Sequence, residues 1–144
     1  MIQYRPPLAP GEFAEYFSFR WAQLREPLGL PCGSERDSLE QTAFHIAAYD
    51  GPSIIGVGRL HIESDGTARI RYMAVHADYR HKGIGRSILR KLEQYANDHH
   101  VRVCWLHARE EAVRFYKKNG YVVCGACKSE LPSVPHKRME KVRD

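Results

Sequence analysis

Apolar positions along the chain fall into two periods. From Gly11 to Arg25, the residues Phe13, Phe17, Trp21 and Leu24 recur at i, i+4, i+8 and i+11, a spacing that predicts a helix with one apolar stripe. Pro27, Gly29, Pro31 and Gly33 break that pattern. Ser34 to Gln41 then reads as a second short helix, with Ser34 as cap and Asp37 at its third position. The Pro-rich first ten residues hold a short edge strand at most. Three strand-like runs follow, at 43–49, 53–63 and 67–76. Asp50-Gly51 and Asp65-Gly66 between them are hairpin signals, so the three runs predict an antiparallel meander. Gly56 and Gly58 inside the middle run point to a bulge or a close backbone approach.

The period then returns to that of a helix, with Ile84, Ile88, Leu92, Tyr95 and Ala96 on one face. Val101 to Leu106 is strand-like. Ala108, Ala112, Phe115 and Tyr116 mark another helix, stopped at Asn119-Gly120. Tyr121 to Cys124 and Lys137 to Val142 read as the last strands. The order α-α-β-β-β-α-β-α-β-β predicts one α/β domain over residues 1–144, a mixed sheet with helices on its faces.

Composition narrows the class. At 144 residues, with 43% hydrophobic and 27% charged residues, the chain suits a globular domain that needs no staples. It has no apolar run of about 18 residues and no signal-like apolar stretch near Met1, so a cytoplasmic protein with no membrane partner is expected. A net charge of +5 allows an anionic partner without requiring one. Cys32, Cys104, Cys124 and Cys127 are too few for a disulfide scaffold. Cys124-x-x-Cys127 lacks the second ligand pair of a zinc site, so no metal is expected.

The chemistry concentrates in Arg80-His81-Lys82-Gly83-Ile84-Gly85-Arg86-Ser87, between a strand and a helix. Two glycines let the chain turn tightly, and a helix start presents unpaired N–H groups and the positive end of its dipole. Between Tyr79 and Leu92 stand five Lys or Arg residues and no carboxylate. Such a loop suits a diphosphate; a tight turn with a solvated basic helix face is the plainer alternative. The dinucleotide fingerprint is excluded because its third glycine position is Ile88, and the Walker A pattern is absent.

The run Met73-Ala74-Val75-His76-Ala77-Asp78-Tyr79-Arg80-His81-Lys82-Gly83-Ile84-Gly85 resembles the acetyl-CoA signature of the GNAT superfamily of N-acyltransferases. Leu106-His107-Ala108-Arg109, followed by Ala112, Phe115-Tyr116 and Gly120-Tyr121, resembles that superfamily's second motif, in the same order and spacing. Phe44-His45 and the tail Val134-Pro135-His136-Lys137-Arg138-Met139 are similar to a small bacterial ElaA-like branch. The resemblance spans roughly residues 40–142. It implies a mostly antiparallel sheet with a splayed central strand pair and about four helices. It also implies acetyl-CoA as co-substrate and transfer of its acetyl group to a small-molecule or peptide amine. In that pattern Met73, Ala74 and Val75 hold the pantetheine amides, with the Val75 N–H facing the thioester carbonyl as an oxyanion donor. Residues 80–87 hold the diphosphate. His107 and Ala112 lie beside the cofactor, although many members carry Asn at the His107 position. Arg90 and Lys91 reach the nucleotide end or stay solvated.

Tyr116 matches the tyrosine that protonates the leaving thiolate. A phenol near ~10 and a thiol near ~8.5 differ by roughly 2 kcal/mol in water. On spacing alone a core tyrosine in step with Ala112 is the favoured reading, and the motif turns it toward catalysis. The amine also needs a base, since an alkylammonium near ~10.4 is almost wholly charged at pH 7. The strand glutamate that some members place six residues before the Val75 position is Arg69 here. Glu63, His45, His61, His76, His107, His136 and water are the candidates. The acceptor side is expected from Phe17, Trp21, Arg25 and the 127–136 loop. A CoA-binding regulator without turnover and a basic nucleic-acid module are the competing readings. The second lacks an aromatic stacking platform, so no nucleic-acid partner is expected. A homodimer is open.

Overall fold

The computed structural model describes residues 1–127 and 134–143. Ten elements carry the fold: β1 (Ile2–Arg5), α1 (Pro10–Leu24), β2 (Phe44–Asp50), β3 (Ser53–Ile62), β4 (Ala68–Val75), α2 (Ile84–Asp98), β5 (Val103–Arg109), α3 (Val113–Lys118), β6 (Val122–Cys127) and β7 (His136–Val142). They form one sheet in the order β1-β2-β3-β4-β5-β7-β6. Every neighbouring pair is antiparallel except β4 and β5. The meander, the mixed sheet and the edge strand before Pro6 are as the pattern predicts.

Strand alternation divides the core into two layers. On one face α2 buries Ile84, Ile88, Leu89, Leu92 and Ala96 against Ile46, Leu60, Ala68, Ile70, Leu106 and Ala108. On the other, α1 packs Phe13, Tyr16, Phe17 and Phe19 against Ala47, Tyr49, Val57 and Ala74. Each fully buried aliphatic side chain contributes roughly 1.5–3 kcal/mol, and together these layers fix the two helices on opposite sides of the sheet.

Gly58 explains how closely α2 lies on β3. A Cβ there would sit 2.7 Å from Ile88 Cγ2, and one at Gly56 would sit 2.8 Å from Ile88 Cδ1. Opposite Gly58 the β3–β4 register slips: Val57 pairs with Ala74 and Arg59 with Arg71, so Tyr72 and Met73 together face one residue. Tyr72 takes φ +59°, a left-handed conformation that strains a non-glycine residue. Of the two alternatives expected for the middle run, Gly56 and Gly58 show the close approach, and the bulge opposite Gly58 belongs to β4.

Ser34–Gln41 forms turns and not the expected short helix, leaving three α-helices among the described residues where about four were expected. Its carbonyls are taken by arginines: Arg25 Nε donates to Ser34 O at 3.0 Å, and Arg20 Nη1 donates to Glu35 O at 3.0 Å. Its carboxylates are taken as well. Arg59, fully buried, donates to Asp37 Oδ1 and Oδ2 at 2.6 and 2.9 Å and to Glu40 Oε2 at 2.9 Å. Arg20, also fully buried, reaches Glu40 Oε2 at 3.0 Å. The segment folds around two buried cations, and that requirement overrides its local helix signals. Two boundaries also shift. The strand expected at 101–106 becomes Val103–Arg109, and a 3-10 turn at Glu110–Ala112 delays the next helix to Val113.

Gly58→Ala is expected to destabilise the fold by about 1–3 kcal/mol through overpacking against Ile88, read as a lower urea midpoint with unchanged slope. Burial raises the Asp37 pKa. Hydrogen bonds from Arg59 and the Leu39 N–H and the charges of Arg59 and Arg71 outweigh it and hold the carboxyl well below its ordinary range. A depressed folded pKa gives stability that is complete above the unfolded value near ~3.9 and fades as pH falls below it. Asp37→Asn should therefore cost about 2 kcal/mol at pH 7. This is less than for a fully buried pair, because the side chain is 21% exposed. The gap to the wild type should narrow below about pH 4 in acid titrations of unfolding.

Candidate active site

β4 and β5 pair for two residues and then separate. Ala68 faces Cys104 and Arg69 faces Trp105, and no later pair joins them. Beyond that point β5 continues in register with β7 up to Arg109 opposite His136. A cleft of about 1190 Å³ opens where the two strands part. Its walls include Met73, Ala74, Val75, Leu106, His107 and Ala108 from the strands, and Ala112, Phe115 and Tyr116 from the turn and helix after β5.

Main-chain groups of β4 turn toward this gap. His76 N–H bonds Ile55 O of β3 at 2.8 Å, so strand alternation turns the Val75 N–H the other way, toward β5. Arg80 Nε donates to Val75 O at 3.3 Å from the same side.

The mouth of the cleft is the turn between β4 and α2. His81 and Gly83 both have positive φ, +63° and +81°. Gly83 is the N-cap of α2 and has no side-chain cap bond. Its carbonyl takes the Ser87 N–H at 3.1 Å, which leaves the N–H groups of Ile84, Gly85 and Arg86 ahead of the helical ladder. A Cβ at Gly83 would meet nothing within 4 Å, so the turn is not plugged. Arg80, His81, Gly83, Ile84, Gly85 and Arg86 line the cleft. Lys82 instead reaches over the Tyr79 ring at 5.4 Å, and Ser87 contributes through its backbone bond to Gly83. The result is a concave run of main-chain donors with a helix dipole behind it and two arginines beside it, suited to a polyanion.

Tyr116 projects from α3 into the cleft wall. It packs on Phe115 and Tyr121 with ring centroids 5.1 and 5.8 Å away. Burial raises its pKa, so the phenol stays protonated through the neutral range. Among the described residues nothing hydrogen-bonds its hydroxyl.

The six candidate bases are not brought together. His45 is buried between Tyr16 Oη and Glu40 O at 3.0 and 2.7 Å, where burial lowers its pKa. His61 is buried between Arg59 and Glu63, each at 3.0 Å, and burial lowers its pKa too. Glu63 serves as that partner, and His76 accepts the Asp78 N–H at 3.1 Å in the turn after β4. Only His107 and His136 of the set line the cleft. His107 Nδ1 lies 3.4 Å from Arg69 Nη2, and His136 Nδ1 lies 2.9 Å from Val134 O.

Of the expected acceptor-side residues, Arg25 lines the cleft. Phe17 packs under α1, and Trp21 Nε1 donates to Leu30 O at 3.0 Å, so both are structural. Most of the 127–136 loop lies outside the described residues. Arg71, Tyr72 and Arg109 also line the cleft, and sequence reasoning passed over them. The available signal was parity: in β5, Trp105, His107 and Arg109 alternate with the core residues Cys104, Leu106 and Ala108, so they face the α1 side.

Comparison with known proteins agrees with this geometry. The model of the acetyltransferase (GNAT) family matches residues 10–121. The uncharacterized N-acetyltransferase YjcF of Bacillus subtilis is 35% identical over 112 residues, covering 78% of this chain and 79% of its own. The crystal structure of Escherichia coli ElaA superposes with a TM-score of 0.84 at 17% identity, over 98% of this chain and 99% of that one. An aminoglycoside 6'-N-acetyltransferase complexed with coenzyme A superposes with a TM-score of 0.81 at 15% identity, over 99% and 96% of the two chains.

Gly83→Val should weaken binding of coenzyme A at least about tenfold by calorimetry. The φ of +81° penalises a β-branched residue and would pull the N–H groups of the turn out of line.

Proposed function

The chain belongs to the acetyltransferase (GNAT) family, and we propose that it moves an acetyl group from acetyl-CoA to a primary amine by direct attack on the thioester. The observation that carries this reading is the gap between β4 and β5 with an unplugged donor-rich turn at its mouth. The residues present fit the co-substrate. The turn at 80–87 would hold the diphosphate through main-chain N–H groups, with Arg80 and Arg86 beside it. Met73, Ala74 and Val75 offer a strand edge to which the pantetheine amides would bond as an added strand. His107 and Ala112 flank that channel.

Within this reading each group has one task. The Val75 N–H, turned toward the gap, donates to the thioester oxygen as negative charge develops on it. Tyr116 gives its proton to the departing sulfur. Burial keeps the phenol protonated but also makes it a weaker acid, so a transfer already uphill by roughly 2 kcal/mol in solution relies on a positioned hydrogen bond to the sulfur as its negative charge develops. The incoming amine must lose a proton, and His107 and His136 are the candidate imidazoles at the cleft wall, directly or through water.

Incubation with acetyl-CoA and a panel of amines should release free thiol, and acetyl-CoA alone should raise the melting temperature. Binding without thiol release from any amine would favour the regulator. Tyr116→Phe should lower kcat about tenfold or more while the dissociation constant for coenzyme A changes less than about threefold. Unchanged kcat would remove Tyr116 from the mechanism.

A further inference from the structure

The two faces of the cleft differ in what they carry. The face toward α2 and α3 holds the Gly83 turn and Tyr116, which the proposed co-substrate occupies. The face toward α1 holds arginines that this reading leaves without a task. Arg25, at the end of α1, is 5% exposed and lines the cleft. Arg109, at the end of β5, lines it too. Both donate to the same oxygen, Leu24 O: Arg25 Nη1 at 3.2 Å and Arg109 Nη2 at 2.9 Å. Arg25 Nε also donates to Ser34 O. Among the described residues the hydrogen bonds of these two side chains go to backbone carbonyls, whereas Arg59 and Arg71 bond to Asp37 and Arg20 bonds to Glu40.

Two guanidiniums converging on one carbonyl repel each other, and a shared helix C-terminal oxygen supplies only part of a negative charge. Burial and then the charges of Arg109, Arg71 and Arg20 disfavour the protonated form of Arg25, against an opposing effect of Tyr72. The Tyr72 ring lies beneath this group, 5.5 Å from the Arg25 guanidinium and 4.6 Å from that of Arg71. It gives the Arg25 side of the site an apolar floor. A planar oxyanion entering from the cleft would meet two guanidiniums, whose charge-assisted hydrogen bonds are the kind that suits carboxylate and phosphate.

We infer that Arg25 and Arg109 form an anion subsite on the α1 side of the cleft, so that the acceptor is a primary amine carrying an oxyanion, a carboxylate in its simplest form. This inference rests on the acetyl-transfer reading for the amine but not for the anion. A site arranged for a charged group discriminates strongly against an analogue that lacks it, because the guanidiniums are then left with their mutual repulsion.

The test has two arms, run on the full chain saturated with coenzyme A so that the Gly83 turn is filled. In the binding arm, glutarate and inorganic phosphate are titrated at constant ionic strength and followed by melting temperature. Saturable stabilisation by either anion that weakens about tenfold or more in Arg25→Gln and in Arg109→Gln supports the subsite. Which anion binds tells carboxylate from phosphate. No saturable effect, or an equal effect in the variants, overturns it. In the transfer arm, acetyl-CoA replaces coenzyme A and thiol release is compared for β-alanine against β-alaninamide and for O-phosphoethanolamine against ethanolamine. A kcat/KM ratio of about ten or more for the charged member of one pair, falling toward unity in the variants, supports the inference. Equal use of both members of both pairs, or an unchanged ratio in the variants, overturns it. Saturable anion binding without thiol release from any amine leaves the subsite standing and counts against the transfer reading alone.

Discussion

The fold turns on how little of β4 can pair with β5. The two strands run parallel, so each needs a straight, in-register neighbour to extend the ladder. The bulge at Tyr72 denies that. It puts two residues of β4 opposite Gly58, a local kink and extra twist, and the pairing with β5 has already ended at Arg69. β5 keeps its own partner in β7. Unpaired main-chain groups are thereby left facing a space that neither strand fills. Buried groups of that kind are costly unless something bonds them, and a ligand with amides along its length can do so.

The bulge itself is held from the α1 side. Tyr72 is 6% exposed and has Arg20 at 4.1 Å and Arg59 at 5.0 Å from its ring. Those two cations are fully buried and would be untenable alone. Asp37 and Glu40 neutralise them, and the 34–41 segment surrenders helical hydrogen bonding to bring those carboxylates in. A strained residue in β4, a glycine in β3 and an irregular connection after α1 thus belong to one arrangement. Its product is the position of β4.

Much of this could be read from the chain. Periodicity located both long helices and the meander, because each has one buried face and its apolar residues must repeat with it. The Gly83 turn was legible because left-handed backbone and helix-start donors leave a mark in glycine spacing. The 34–41 segment was not, because its conformation answers to Arg20 and Arg59, which stand 15 or more residues away, and local cap signals carry no trace of them. The site followed the same division. Val75, Gly83 and Tyr116 sit in continuous motifs. Arg25, Tyr72 and Arg109 come from three separate elements, and only the sheet order sets them side by side. Histidines were hardest to sort, since His45, His61 and His107 share the α1 face of the sheet and differ only in what covers them.

The charge on the α1 side bears on the problem of the missing carboxylate base. Under the proposed transfer, a primary ammonium brought beside Arg25, Arg69 and Arg109 would meet like charge, offset in part by Glu111, and would lose bulk water, and both the like charge and the desolvation would lower its pKa. Each unit of that shift raises the neutral fraction at pH 7 about tenfold. An anionic group on the acceptor would keep the molecule bound while its amine end feels the remaining positive field. Under the proposed transfer, Arg69, at the position where the resemblance puts a glutamate in some members, would favour the free amine by electrostatics and would leave only the final proton for His107, His136 or water to carry away. A glutamate would instead stabilise the ammonium before removing its proton, so the two designs reach a neutral nucleophile by opposite use of charge.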